Sequence, residues 1–387
     1  MVVTADLALY IHIPFCRRRC GYCSFISFDS RGDDIELYLR ALKTDIAHHA
    51  GNERLTSIYF GGGTPSLLSV EQLAGVLGAV SHSFSVDETA EISMEANPGT
   101  IDEGYLSAVR ELGINRLSLG AQSLDERELR LLGRIHTKTE ARESIRFARS
   151  AGFGNVNFDL IYGLPGQSVQ DWRSTLEEML TLAPEHLSLY SLTLEPEAPM
   201  WRALKDGYLP DIDPDIAAGQ YEFAEDLLAA GGYRHYEISN WAKEGYECRH
   251  NLTYWQNKPY LGVGVAAHSW LGNHRLASTG DIDEYLASFA SGASLLPEMD
   301  EEISPELELA ETVILGLRLG SGIGIDNINN RFSIDLMAHY GRTIREMTDS
   351  GLLEFAGGRL VLTRRGRLLS NEVFWRFLPD NIPAKVT

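Results

Sequence analysis

From residue 7 to residue 192 one unit repeats: a short apolar strand, a loop, then an amphipathic helix. Strand patterns fall at 7–13, 56–60, 90–95, 116–119, 155–161 and 186–192. Helical patterns at 35–49, 70–84, 102–112, 138–151 and 169–182 lie between them. Ser69 with Gln72, Thr137 with Glu140 and Ser168 with Asp171 have the spacing of a reciprocal cap, in which two side chains satisfy the free amides of a helix start. Gly113 and Gly152 stand where two of these helices should stop. Such alternation demands right-handed crossovers and a parallel sheet. The expected fold class is α/β, a partial (β/α)6 TIM-like barrel two units short of closure. Ligands collect at the C-terminal ends of parallel strands. The unusual residues of this chain fall there: Cys16 to Cys23, Gly61-Gly62-Gly63-Thr64-Pro65, Glu95, Gln122 and Asp159. One active-site mouth is expected to gather them.

Beyond residue 196 the alternation fades. A helix is expected at 213–230, with Pro214 at its start, then an aromatic strand at 233–241. From about residue 304 two or three helices precede a hairpin around Gly357-Gly358, the order of a small, mostly helical, winged-helix-like unit. The expected divisions are 1–240, 241–300 and 301–387. Arginine and lysine total 34 against 54 acids, a net charge of -20. That balance argues against nucleic-acid binding, which needs a basic face. No apolar run reaches the ~18 residues of a membrane span, and Met1 to Asp6 lack the basic, then apolar, pattern of a leader.

Cys16, Cys20 and Cys23 are three of only four cysteines, spaced C-x3-C-x2-C. Three thiolates can hold three irons of a [4Fe-4S] cube, and with no fourth cysteine nearby the last iron stays open to a small molecule. A zinc site would show a second C-x2-C pair or added histidines. A disulfide framework belongs to short secreted chains. Inert buried thiols seldom cluster on a loop with three arginines. Reduced thiols and an oxygen-sensitive cluster lead us to expect a cytoplasmic protein.

This spacing, after a strand ending His12-Ile13-Pro14-Phe15, resembles the radical S-adenosylmethionine (SAM) superfamily. The resemblance implies that SAM chelates the open iron. It implies that Gly63 and Thr64 lie in the segment contacting the SAM amino group, and that Glu95 holds the ribose hydroxyls. Gly120-Ala121-Gln122-Ser123, Leu132-Gly133-Arg134-Ile135-His136 and the run from Asp159 to Gly166 are similar to the branch around oxygen-independent coproporphyrinogen III oxidase. Gln122, Arg134 and Asp159 are thereby implied at the SAM site, Tyr10 against the cluster and SAM methionine, and Thr193 at a further SAM position.

A histidine without context is more often structural than a ligand. His250, however, opens His250-Asn251-Leu252-Thr253-Tyr254-Trp255, which resembles the haem-chaperone (HemW-type) members of this branch. An imidazole can ligate haem iron, and Tyr and Trp offer flat faces to a porphyrin. Cys248 reads as a small buried hydrophobe rather than a ligand. The coproporphyrinogen III oxidase of that branch carries a further cysteine where this chain has Phe25, which the resemblance implies is the mark of the chaperone group. The expected function is therefore a haem chaperone that binds haem, a [4Fe-4S] cluster and SAM, and delivers haem to an acceptor haemoprotein such as a membrane-bound respiratory one. The alternatives are oxidative decarboxylation of coproporphyrinogen III, or another radical SAM reaction. Either would need an electron donor.

Overall fold

The computed structural model describes residues 6–290 and 297–379. Residues 1–5, most of the stretch searched for a leader, lie outside the described residues, as do parts of the two later divisions. The chain begins β1 (Asp6–Ile13), α1 (Ile35–His48), β2 (Arg54–Gly62), α2 (Val70–Ser83), β3 (Ser85–Ala96) and α3 (Glu103–Glu111). It continues β4 (Arg116–Gln122), α4 (Glu126–Leu132), α5 (Lys138–Ser150), β5 (Val156–Tyr162), α6 (Val169–Thr181) and β6 (His186–Ser191). All six strands pair in parallel, in sequence order. The caps form as the spacing predicts: Ser69, Thr137 and Ser168 each accept from, and are answered by, the residue three along. Helix α4 was not legible as periodicity; Asp125 caps it by accepting from the amides of Arg127 and Glu128.

Strand register explains how one sheet serves a core and a site. Tyr10, Tyr59, Ser93, Arg116 and the residues two positions along each strand share one face. That face also carries Glu91, Glu95, Ser118, Asn157, Asp159, His186 and Ser188. The alternate residues, among them Leu9, Ile58, Met94, Leu117, Phe158 and Leu187, are buried against the helices in the main core. The strands are thus apolar outward and polar inward.

The sheet does not end at β6. After α7 (Pro199–Lys205) and α8 (Pro214–Ala230), the single strand expected at 233–241 is two, β7 (Arg234–Glu237) and β8 (Asn240–Ala242). Glu237 breaks it by accepting from the Ser239 amide, 3.0 Å, and from the Asn240 side chain. Strand β8 runs antiparallel beside β6. Helix α9 (Arg249–Trp255) leads into β9 (Tyr260–Val263), which pairs in parallel with the free edge of β1. The edge is extended by β10 (His268–Leu271) and β11 (His274–Ala277), then, after α10 (Ile282–Ala290), by β12 (Met299–Glu302). Both edges of the six-stranded core are therefore covered by added strands rather than paired to each other.

The C-terminal part runs α11 (Pro305–Arg318), β13 (Ile323–Gly324), α12 (Ile325–Phe332), α13 (Leu336–Asp349), β14 (Leu353–Ala356) and β15 (Arg359–Leu362), ending in α14 (Arg364–Leu368) and α15 (Ser370–Phe374). Its three strands form a separate sheet, ordered β13-β15-β14, over a second apolar core. It is tied to the barrel by Arg364 and Arg367 on Glu225, and by Arg318 lying 4.3 Å over the ring of Trp255.

Candidate functional site

A cavity of about 350 Å³ opens at the C-terminal ends of β1 to β6. Cys16, Cys20, Cys23, Gly63, Thr64, Glu95, Gln122, Arg134, Asp159 and Thr193 all line it. Ten of the twelve expected site residues are thus gathered at one mouth; Tyr10 and His250 lie outside its lining.

The cysteines are free thiols on the loop after β1. Burial pushes the Cys16 and Cys23 thiols above their ordinary range. Thr64 Oγ1 donates to Cys16 Sγ at 3.6 Å, and Arg134 Nη1 donates to Cys20 Sγ at 3.4 Å. Arg134 also donates to Asn97 Oδ1 and to the Gly120 carbonyl at 2.6 Å, tying the loop to β3 and β4. Its Nε is buried with no partner. Among the described residues no three Cys, His, Asp or Glu side chains converge closely enough to hold a single ion. Three free thiols on the wall of one cavity suit a cube, which on binding takes one thiolate to each of three irons. When bound, a [4Fe-4S] cluster supplies one-electron chemistry.

The glycine run is closely packed against β1 and the cysteine loop. A Cβ at Gly62 would stand 2.6 Å from the His12 ring, and one at Gly63 would stand 2.6 Å from the Phe15 carbonyl oxygen. Gly62 also has φ 116°, open only to glycine. The missing side chains let β2 close against the cysteine loop, and both glycines still reach the cavity. Gln122 is held at φ 67°, an uncommon backbone for a residue with a side chain.

The cavity floor is acidic. Glu95 accepts from the Tyr59 hydroxyl at 3.0 Å and the Gly62 amide at 3.1 Å. Burial, reinforced by the Asp159 charge, nevertheless lifts its pKa to about 7. Asp159 accepts from Ser118 at 3.0 Å and Asn157 at 2.9 Å, and burial raises its pKa too. Two carboxylates on the lining of one cavity fit a cationic ligand bearing hydroxyl groups. Tyr59, Asn97, Ser118 and Tyr190 line the same cavity. They were missed in the sequence, where only strict alternation along β2, β4 and β6 marks three of them as inward-facing.

Tyr10 stands one ring back from the cavity, stacked on Tyr59 with centroids 6.2 Å apart. Its hydroxyl bonds His12 Nδ1 at 3.1 Å, while His12 Nε2 donates to the Ile26 carbonyl at 2.9 Å. His250 is 1% exposed, on the first turn of α9. Its Nδ1 bonds Ser57 Oγ at 2.9 Å and its Nε2 bonds the Tyr254 hydroxyl at 2.8 Å. Burial, then the Arg116 charge, hold its pKa down to about 3, so the ring is neutral. Glu91 of β3 accepts from the Arg249 and His250 amides at 3.1 and 3.2 Å, capping α9 from the barrel interior. Cys248 is fully buried with its thiol 3.4 Å from Glu91.

Residues 10–179 match the family model for the radical SAM superfamily, and residues 303–369 match that for the HemN C-terminal domain. The heme chaperone HemW of Lactococcus lactis is 35% identical over 373 residues, covering 96% of this chain and 97% of that protein. HemW of Escherichia coli is 40% identical over 275 residues, covering 69% and 71%. Among solved structures, the radical SAM enzyme coproporphyrinogen III oxidase (HemN) of Escherichia coli matches with a TM-score of 0.85 at 24% identity, over 97% of this chain and 90% of that one. The last likeness speaks to fold, and it covers barrel and C-terminal unit together. The end-to-end relationship at 35% identity decides the family: this chain belongs to the HemW heme chaperones, on a radical SAM scaffold.

Proposed function

We propose that the protein carries haem to an acceptor haemoprotein while holding a [4Fe-4S] cluster on Cys16, Cys20 and Cys23 and SAM in the adjoining cavity. The observation that carries this reading is its likeness to heme chaperones along nearly its whole length. Thr64 and Arg134, which donate to Cys16 and Cys20, would steady thiolates in the cluster-bound state. Glu95 and Asp159 would take the cationic and hydroxyl-bearing parts of SAM, with Gly63, Gln122 and Thr193 completing the walls. Tyr10 would act through Tyr59 rather than by contact. His250 serves haem through the placement of α9; direct ligation would first require breaking its bonds to Ser57 and Tyr254. No described helix is long and apolar enough to cross a membrane. We place the protein in the cytoplasm, meeting its acceptor at that side.

The second reading is oxidative decarboxylation of coproporphyrinogen III, favoured by the fold match to HemN and by the intact cavity. It would need an electron donor. Phe25, in place of a further cysteine, weighs against it. The test is anaerobic reconstitution of the cluster, then haem addition, then transfer to an apo-haemoprotein. Haem uptake followed by transfer is expected. Repeated turnover of coproporphyrinogen III with SAM and reductant, without haem uptake, would favour the enzyme.

A further inference from the structure

We infer that the outer rim of the cavity, made by Phe25 with Arg18 and Arg19, receives one face and the carboxylate edge of the porphyrin cargo. This rests on the haem-carrier reading and assigns that reading a place. Phe25 is 66% exposed, unusual for a large apolar side chain, and it lines the cavity together with Arg18 and Arg19. Ile135, 51% exposed, lies beside Arg17 and Arg18 along an adjoining groove. A flat apolar ligand at the cavity mouth would cover the Phe25 ring.

The three arginines carry the second half of the argument. The Arg17 and Arg19 guanidiniums donate only to carbonyls, of Gly99 and Cys23, each at 3.4 Å, while the Arg19 amide donates to the Asp29 carboxylate at 3.1 Å. Among the described residues none of the three has a carboxylate within ion-pair distance, although the chain carries a net charge of -20. Guanidinium groups left unpaired beside exposed aromatic surface suit a ligand that brings its own carboxylates. Glu95 and Asp159 disfavour a dianion beside them, whereas Arg18 and Arg19 on the same lining attract one. At the other end of the barrel, His250 of α9 offers no free nitrogen: it is 1% exposed, and both of its ring nitrogens are bonded.

Face-and-edge recognition does not need iron, and axial ligation does. The test therefore titrates cluster-reconstituted full-length protein with haem, metal-free protoporphyrin IX and its dimethyl ester. The proteins are wild type, Phe25→Ala, Arg18→Ala with Arg19→Ala, and His250→Ala. Unchanged iron–sulfur absorption in the rim variants serves as the folding control. We expect wild type to bind protoporphyrin IX, and either rim change to weaken it about tenfold, the scale of a lost charged hydrogen bond or stacked ring. The ester should bind wild type about tenfold more weakly than the acid, and the double arginine change should weaken the ester no further. Binding of haem with no binding of protoporphyrin IX, or rim variants that match wild type, would overturn the inference and leave the carrier reading standing. A wild type that takes up no haem overturns both.

Discussion

The imidazole of His250 stacks on the phenol ring of Tyr59, with centroids 5.2 Å apart and planes 28° from parallel. The same Tyr59 donates its hydroxyl to Glu95 on the cavity floor. The helix bearing the His-Asn-x-x-Tyr-Trp motif is thus separated from the cavity by a single ring. A second tie runs through the barrel interior. Asn157 donates to Asp159 at 2.9 Å and accepts from His186 at 2.6 Å, and His186 bonds the Tyr236 hydroxyl at 2.8 Å. Tyr236 in turn accepts from the Cys248 amide at 3.4 Å, at the start of α9. A change at either end has polar contacts through which to be felt at the other.

His250→Ala should behave first as a stability variant. It strands buried Ser57 and half-buried Tyr254 and removes a packed ring, a cost of about 2–4 kcal/mol. We predict a clear fall in the urea midpoint before any haem measurement is made. The pH dependence has a definite sign. The folded pKa of about 3 lies below the ordinary value of 6.5, so the unfolded chain binds the extra proton. Wild-type stability supplied by this group is therefore full above about pH 6.5 and declines as pH falls toward 3. His250→Ala should flatten that slope in denaturation series taken across the interval.

Glu95 titrates the other way. In the ligand-free protein its pKa of about 7 exceeds the ordinary 4.5, so the folded state holds the proton and this contribution to stability is lost as pH rises through 7. A sulfonium or hydroxyl-bearing ligand favours the ionised form. SAM binding should then release a proton, and affinity should rise up to about tenfold from about pH 6 to about pH 8. Calorimetry in buffers of different ionisation heat reads both effects. Glu95→Gln should weaken SAM and abolish the pH dependence; retention of that dependence would contradict the assignment.

Why some of this was readable in the sequence follows from what each signal reports. Strand–helix alternation and the Ser69, Thr137 and Ser168 caps are local, so the six core strands and their helices could be placed. The cysteine spacing and the strand-end residues were also legible, because one topology brings every strand end to one mouth. Long-range contacts were not. Nothing local shows that β9 joins the edge of β1, that Glu91 caps a helix 158 residues later, or that His250 faces Ser57 across 193 residues. The glycine run shows the limit most plainly: its residues alone do not tell that Gly62 lies against the His12 ring and Gly63 against the Phe15 carbonyl.

Arg134 should be intolerant even of lysine. Its guanidinium reaches Cys20 Sγ, Asn97 Oδ1 and the Gly120 carbonyl at once, whereas an ammonium group cannot span all three. We predict that Arg134→Lys retains, after reconstitution, at most about half the iron and sulfide of wild type, because Cys20 loses its donor and the loop its anchor. Arg127→Lys, on an exposed side chain, is the control and should load normally. Iron and sulfide assays with the visible iron–sulfur absorption decide it.

Glu91 is the point where barrel and α9 depend on each other. Its carboxylate takes two amides of α9 and faces Arg116, which is 2% exposed with its Nε unpartnered. Glu91→Ala would leave that guanidinium less compensated in the interior and two amides uncapped, costing about 3–5 kcal/mol. Glu91→Gln keeps an acceptor for one amide but removes the charge, and should cost less. The two variants separate helix placement from the cavity above it. We predict that Glu91→Gln lowers the unfolding midpoint and weakens haem uptake while SAM affinity changes by less than about twofold, since Glu95 and Asp159 keep their own donors. Equal losses of haem and SAM would mean that α9 and the cavity move as one body.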